Sequence, residues 1–287
     1  MNLALSFLTL LSCLLSGEQS YARRKDASAT SVSFRGLGRN FQTIEAQEIR
    51  VAAAADLKFA LDELGAQFEK QTGRRLNVSH GSSGNFFAQI RNGAPFDVLL
   101  SADIEYPRKL EAAGLVEPGT LYEYAVGRIV IWMPAEARSG LAKLGWKALL
   151  EPGVERIAIA NPEHAPYGRA AVAALRSAGI YDQVRRRLVY GENVAQAAQF
   201  VASGSAQAGI LALSLASSPP MRDGKRWEIP ANMHPPIEQG AVILKSAKDK
   251  EGARAFLAFL KSAAGRKILE SYGFTLPASA ASSATSQ

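Results

Sequence analysis

An α/β fold is what this sequence predicts, on three observations. Short apolar or small-residue runs of strand length alternate with segments whose apolar residues recur at helical spacing, the pattern of a mostly parallel sheet covered by helices. Most of these strands end in a loop rich in Gly, Ser, Asn or Pro that opens the next helix. Composition permits such a fold, because 287 residues with 47% hydrophobic and 21% charged content can bury a sizeable core in one or two domains, and no repeat period is present.

The regular pattern begins late. Leu3 to Leu15 is almost wholly apolar, too short for a membrane span of roughly 20 residues, and is followed by Ser20-Tyr21-Ala22, a site suited to signal peptidase. Residues 1–22 therefore read as a signal peptide and the protein as periplasmic. Leu10-Leu11-Ser12-Cys13 would be a competing lipoprotein box, but the apolar run continues through Leu14 and Leu15, which favours soluble export over lipid anchoring at Cys13. Cys13 is the single cysteine, so cleavage leaves no thiol in an oxidising compartment. It also removes Glu18 and no Lys or Arg, raising the formal charge from +7 to +8 and favouring anions as partners. Arg185-Arg186-Arg187 is the most nucleic-acid-like feature; without accompanying aromatics or a binding motif it reads as a solvated helix end, and no nucleic acid is expected. Residues 23–48 lack a sustained period and read as a flexible leader.

Ile49 to Ala54 is a small-residue strand, and Leu57, Ala60, Leu61, Leu64 and Phe68 follow at helical spacing up to Thr72-Gly73. Leu76 to Ser79 is the next strand. His80-Gly81-Ser82-Ser83-Gly84 then turns into a helix carrying Phe86, Phe87 and Ile90; Asp97 to Ser101 is a third strand, and a helix over Ile104 to Ala113 stops at Gly114. Arg128 to Met133 is a strong apolar strand ended by Pro134, and a second series starts there. It comprises helix Leu141 to Leu150, strand Ile157 to Ala160, the proline-framed loop Asn161 to Gly168, helix Arg169 to Ala178, strand Leu188 to Tyr190, helix Val194 to Ala202 and strand Ala208 to Leu213. Pro219-Pro220 and Pro235-Pro236 bracket an irregular stretch, Gly240 to Leu244 is a strand, and Lys248 to Tyr272 is helical with a break at Gly265. Residues 278–287 form a low-complexity, disordered tail.

Enzyme chemistry is hard to find. There is no G-x-S-x-G elbow, no phosphate-binding G-x-x-x-x-G-K-[ST] and no qualifying dinucleotide glycine motif. His80, His164 and His234 stand neither at i, i+4 nor within a carboxylate cluster, which argues against zinc. What remains is a set of helix-opening loops at Ala55-Asp56, Ser82-Ser83, Tyr167-Gly168 and Asn193-Val194. In an open α/β sheet all four lie beyond the carboxyl ends of strands, where ligands bind, and free N–H groups at helix starts hold an anion by dipoles and hydrogen bonds alone.

Several linked stretches occur in order: Val51-Ala52-Ala53-Ala54-Ala55, Gly81-Ser82-Ser83-Gly84, Gly93-Ala94-Pro95-Phe96-Asp97 leading to Ser101-Ala102-Asp103, Asn161 to Gly168, and Tyr272-Gly273-Phe274. In them the chain resembles the periplasmic molybdate-binding proteins of ABC importers, over about Ile49 to Pro277. The resemblance implies a two-lobed type II periplasmic binding protein fold, each lobe a mostly parallel sheet flanked by helices with a cleft between. Residues 49–127 plus 241–277 would form lobe 1 and 128–240 lobe 2. It implies a monomer without cofactor or catalysis, holding molybdate, and tungstate as well, for delivery to an inner-membrane permease and its ATPase. By position the oxyanion contacts would come from Ser83 through hydroxyl and backbone, from the backbone at Tyr167 and Val194, and from the first loop at Asp56. The competing readings are a secreted α/β enzyme acting on a phosphate ester, a binding protein for another oxyanion such as sulfate, and a LysR-type regulator, which lacks its N-terminal helix-turn-helix here.

Asp56 departs from the family pattern, which has Ser, Thr or Asn at this place. An ionised carboxylate about 5 Å from a dianion would cost on the order of 6 to 7 kcal/mol at an effective dielectric of about 20. Either the side chain caps its own helix facing away, its charge held in solvent near Lys58, or it is protonated and donates to the anion; the capping arrangement is the favoured expectation. For Tyr167 the alternative role is a packing ring that closes the proline loop.

Overall fold

The computed structural model describes residues 48–137 and 140–277, which belong to one compact unit, Ile44–Gln287. The expected signal peptide, leader and tail lie outside the described residues. In chain order the elements are β1 (Glu48–Ala54), a 3-10 turn (Ala55–Leu57), α1 (Lys58–Thr72), β2 (Arg75–Gly81), α2 (Ser83–Arg91), β3 (Val98–Ser101), α3 (Glu105–Ala112), β4 (Tyr122–Gly127) and β5 (Ile129–Met133). There follow α4 (Leu141–Leu144), β6 (Ile157–Ala160), α5 (Pro166–Ser177), α6 (Tyr181–Val184), β7 (Leu188–Gly191), α7 (Val194–Ala202), β8 (Ala208–Ala212) and α8 (Leu213–Ala216). The described chain closes with β9 (Lys225–Glu228), β10 (Ile237–Ile243), α9 (Lys250–Lys261) and α10 (Ala263–Ser271).

Two five-stranded sheets result, ordered β2-β1-β3-β10-β4 and β7-β6-β8-β5-β9, and each sheet with its helices forms a lobe. β1 runs parallel to β2 and β3, as β6 does to β7 and β8, and these inner strands are apolar or small on both faces because helices cover both. The sheets are mostly parallel, as expected, with one strand in each running against the other four. β10 is antiparallel to β3 and β4, and β5 is antiparallel to β8 and β9. The cause is the path of the chain, since β5 and β10 are the strands that arrive from the opposite lobe. β4 passes into β5 through Arg128, and β9 returns to β10 through residues 229–236. β10 starts at Ile237, so the return precedes the expected boundary at 241.

Other boundaries differ for local reasons. The helix expected over Leu141 to Leu150 stops at Leu144, because Gly145 takes φ 50 and the chain goes on as a 3-10 turn. The break expected at Gly265 falls at Ser262, whose hydroxyl accepts from Gly265 N–H at 3.2 Å and so caps α10. β4 and β9 were not expected as strands; both are sheet edges with a mixed polar pattern that gives no clear period.

The first lobe's main core places Leu61, Leu64 and Phe68 of α1 against β1 and β3, with Phe68 edge-on to Phe256 of α9 at 5.4 Å between ring centres. The second lobe has its own cluster around β5, β6 and β8. Ala54, Ala55 and Ala102 of the first lobe join that second cluster, so the small residues where β1 and β3 end are what let the two lobes touch. Among the described residues no helix is long and apolar enough to cross a membrane.

Candidate functional site

Three helices begin at one place between the lobes. Gly81 ends β2, Ser82 takes the extended cap conformation at φ −82 and ψ 143, and Ser83 becomes the first residue of α2. Pro166 and Tyr167 open α5, where the fixed φ of proline suits the first helical position. Gly168 follows because a Cβ there would stand 2.2 Å from the Ala160 carbonyl oxygen, which presses α5 onto the end of β6. Asn193 caps α7, its Oδ1 accepting from the N–H groups of Ala195 and Gln196 at 3.0 and 3.1 Å. The N–H groups of Ser83, Tyr167 and Val194 sit in the first turns of their helices, where no intrahelical acceptor exists.

These starts and the 3-10 turn after β1 enclose a cavity of about 10 Å³ that Asp56, Ser82, Ser83, Tyr167, Asn193 and Val194 help to line. No Lys, Arg or His lines it, so the helix ends are what it can offer to a negative charge. The structure thus brings the four expected residues, Asp56, Ser83, Tyr167 and Val194, to one cavity. Ser83 is 1% exposed, and its hydroxyl accepts from Ala102 N–H at 2.9 Å, which leaves its proton free to be donated.

Asp56 contradicts the expected capping arrangement. The turn Ala55–Leu57 puts Ala54 at the cap position and directs the Asp56 side chain inward, where it is 1% exposed and away from solvent. Its Oδ2 accepts from the Tyr167 hydroxyl at 2.9 Å and from Gln239 Nε2 at 2.7 Å, while Ser214 donates to its backbone carbonyl at 2.8 Å. Oδ1 has no hydrogen-bond partner; the N–H groups of Asp56 and Leu57 act on the carboxylate electrostatically without hydrogen-bond geometry. Burial pushes the Asp56 pKa up to about 6, against the pull of the Gln239 and Tyr167 bonds. Burial, with the Asp56 charge beside them, also raises the hydroxyls of Tyr167 and Tyr124. The Tyr167 ring is buried and its hydroxyl is occupied, so only its backbone is offered to the cavity.

Sequence reasoning named Ser82 only as part of its helix-opening loop and missed Gln239 and Tyr124 altogether. Ser82 is 3% exposed and its hydroxyl has no partner, although it stands in the same Gly/Ser turn as Ser83. Gln239 joins Asp56 to Tyr124, whose hydroxyl donates to Gln239 Oε1 at 2.7 Å. A lone Gln in the apolar strand Ile237–Ile243 was the available signal. Across the cleft mouth, Gly84 N–H donates to the His164 carbonyl at 3.0 Å, Asn85 bonds Glu192, and Arg169 pairs with Asp103.

Two mixed sheets with a chain that crosses between them twice, and helix starts converging in the cleft, define a class of bilobal solute-binding protein. The model of the bacterial extracellular solute-binding protein family matches residues 49–275, and the chain belongs to that family. It is 39% identical over 233 residues to the molybdate-binding protein ModA of Azotobacter vinelandii, covering 81% of this chain and 91% of that one. It is 38% identical to the molybdate-binding protein ModA of Rhodobacter capsulatus over 80% of this chain and 88% of the relative. Among solved structures, the Azotobacter vinelandii periplasmic molybdate-binding protein superposes with a TM-score of 0.75 at 38% identity, covering 80% of this chain and 99% of that chain.

Proposed function

We propose that this protein captures molybdate in the periplasm and hands it to the permease and ATPase subunits of an ABC importer, without catalysis. The observation that carries the reading is the convergence of three helix starts and the Ser83 hydroxyl on a buried cavity that no cationic side chain lines. A dianion held there is neutralised by dipoles and hydrogen bonds, so it can be released without breaking an ion pair. Ser83 supplies hydroxyl and N–H, Tyr167 and Val194 supply N–H, and Asp56 borders the same space. Similarity to molybdate-binding relatives supports the choice of ligand, and tungstate, of the same shape and charge, is expected to bind as well.

Isothermal titration with molybdate, tungstate, sulfate and phosphate, beside a phosphatase assay, tests this reading. Tight molybdate binding is expected, together with a loss of about 1.5 to 3 kcal/mol in Ser83→Ala, the scale of one charge-assisted hydrogen bond. Ester turnover without a heat of dianion binding would overturn the transport role, and preference for sulfate would reassign the ligand.

A further inference from the structure

We propose that the oxyanion enters this site together with one proton taken from solvent, held on Asp56 Oδ1, so that Asp56 is a specificity-determining residue that couples affinity to pH. The proposal rests on the oxyanion-binding reading above and concerns how that same site balances charge.

The geometry leaves little choice. Asp56 borders the cavity, is 1% exposed, and has no cation beside it. Its Oδ2 is engaged by two donors, Tyr167 from α5 and Gln239 from β10. Every other neighbour is neutral: Tyr124 of β4 lies behind Gln239, Ser214 of α8 holds the Asp56 carbonyl, and Ser82, Ser83 and Val194 stand at the starts of α2 and α7. Lys58 turns its ammonium over the Phe59 ring and does not line the cavity. His80, at the end of β2, faces Asp62 and Lys58 instead. Oδ1 is therefore a buried acceptor without a hydrogen-bond partner, on a residue that lines a space built for an anion. A proton on Oδ1 removes the repulsion and turns the orphan acceptor into a donor for the bound oxyanion. Burial already raises Asp56 to about 6 in the free protein, and a dianion beside it raises it further.

The proton is counted by titrating molybdate at micromolar concentration into the protein in pairs of buffers whose ionisation enthalpies differ, Hepes and Tris at pH 8 and acetate and piperazine at pH 5. Uptake approaching one proton per anion is expected at pH 8, shrinking toward zero by pH 5, with affinity falling roughly tenfold per pH unit above about 6. Asp56→Asn keeps an acceptor for Tyr167 and Gln239 and supplies a permanent N–H donor, so its binding should show no uptake and no slope. Heats at pH 8 that do not depend on the buffer would overturn the proposal while leaving the oxyanion role standing, and this arm needs no variant. Uptake that persists in Asp56→Asn would place the proton elsewhere and overturn it too. Absence of any molybdate heat at either pH would instead overturn the functional reading itself.

Discussion

At Gly84 the backbone is ordinary helix, yet a Cβ there would stand 2.6 Å from the His164 carbonyl oxygen and 3.0 Å from His164 Cα and Cβ. The glycine is needed for the approach of the two lobes, and the Gly84 N–H uses that approach to bond the same carbonyl. Separation of the lobes removes these three contacts, and alanine is the better helix former by roughly 0.5 to 1 kcal/mol. Gly84→Ala should therefore keep or raise the melting temperature of the free protein while weakening molybdate binding at least tenfold; wild-type affinity by calorimetry would contradict this. Asp56 carries a stability effect of its own. Its folded pKa is raised to about 6 from an unfolded value near 3.9, so the fold favours the protonated form. The Asp56 contribution to stability is then largest below about pH 4 and falls by about 3 kcal/mol as pH rises through about 6, opposite in sign to that of Asp97, whose pKa is lowered. Denaturant unfolding of wild type and Asp56→Asn at pH 4.5 and 7.5 should show most of that fall as the difference between the two proteins' pH dependences, and parallel profiles would contradict it. The helix starts that bring Ser83, Tyr167 and Val194 to the cavity were legible in sequence because a helix start announces itself within a few residues. The Asp56 environment was not, because Gln239 lies 183 residues away and only tertiary structure aims it at the carboxylate.

Helix α7 shows how an element's own cap decides what it offers to a ligand. Asn193 satisfies the N–H groups of Ala195 and Gln196, which leaves the Val194 N–H for the cavity. Asn193→Ala should cost about 1 kcal/mol of stability and weaken binding as the first turn frays. Asn193→Asp should hold stability to within a few tenths of that, yet weaken binding more, since it sets a carboxylate against the anion. Denaturation and calorimetry on both variants separate the two effects. The bounds of α7, Val194–Ala202, were readable because cap, apolar period and stop all lie in one short stretch. The region of α4 was not, since its periodic residues continue through Gly145, where a positive φ breaks the helix and a side chain would meet Trp227. The mixed character of the sheets was equally hidden. Strand direction depends on which lobe the chain has come from, and no local pattern records that.

For the whole molecule, the proposed ligand contacts divide between two lobes, so molybdate should favour the closed arrangement by as much as its differential affinity for it. Small-angle scattering should show a smaller radius of gyration at saturating molybdate than in the free protein, and an unchanged radius from an open free state would contradict the mechanism. The chain's double crossing has a consequence in time as well as space. The strands of the second sheet, from β5 to β9, are contiguous in sequence, whereas the first sheet is complete only when β10 inserts between β3 and β4, with α9 and α10 following. Closing so long a loop costs chain entropy before its contacts repay it, so such pairing is slow. During refolding, pulse-labelled amides of β6 and β8 should gain protection before those of β3, and the reverse order would refute this. Until β10 arrives, the β3 edge lies open, and the half-made first lobe is the species in which this protein is most exposed to aggregation.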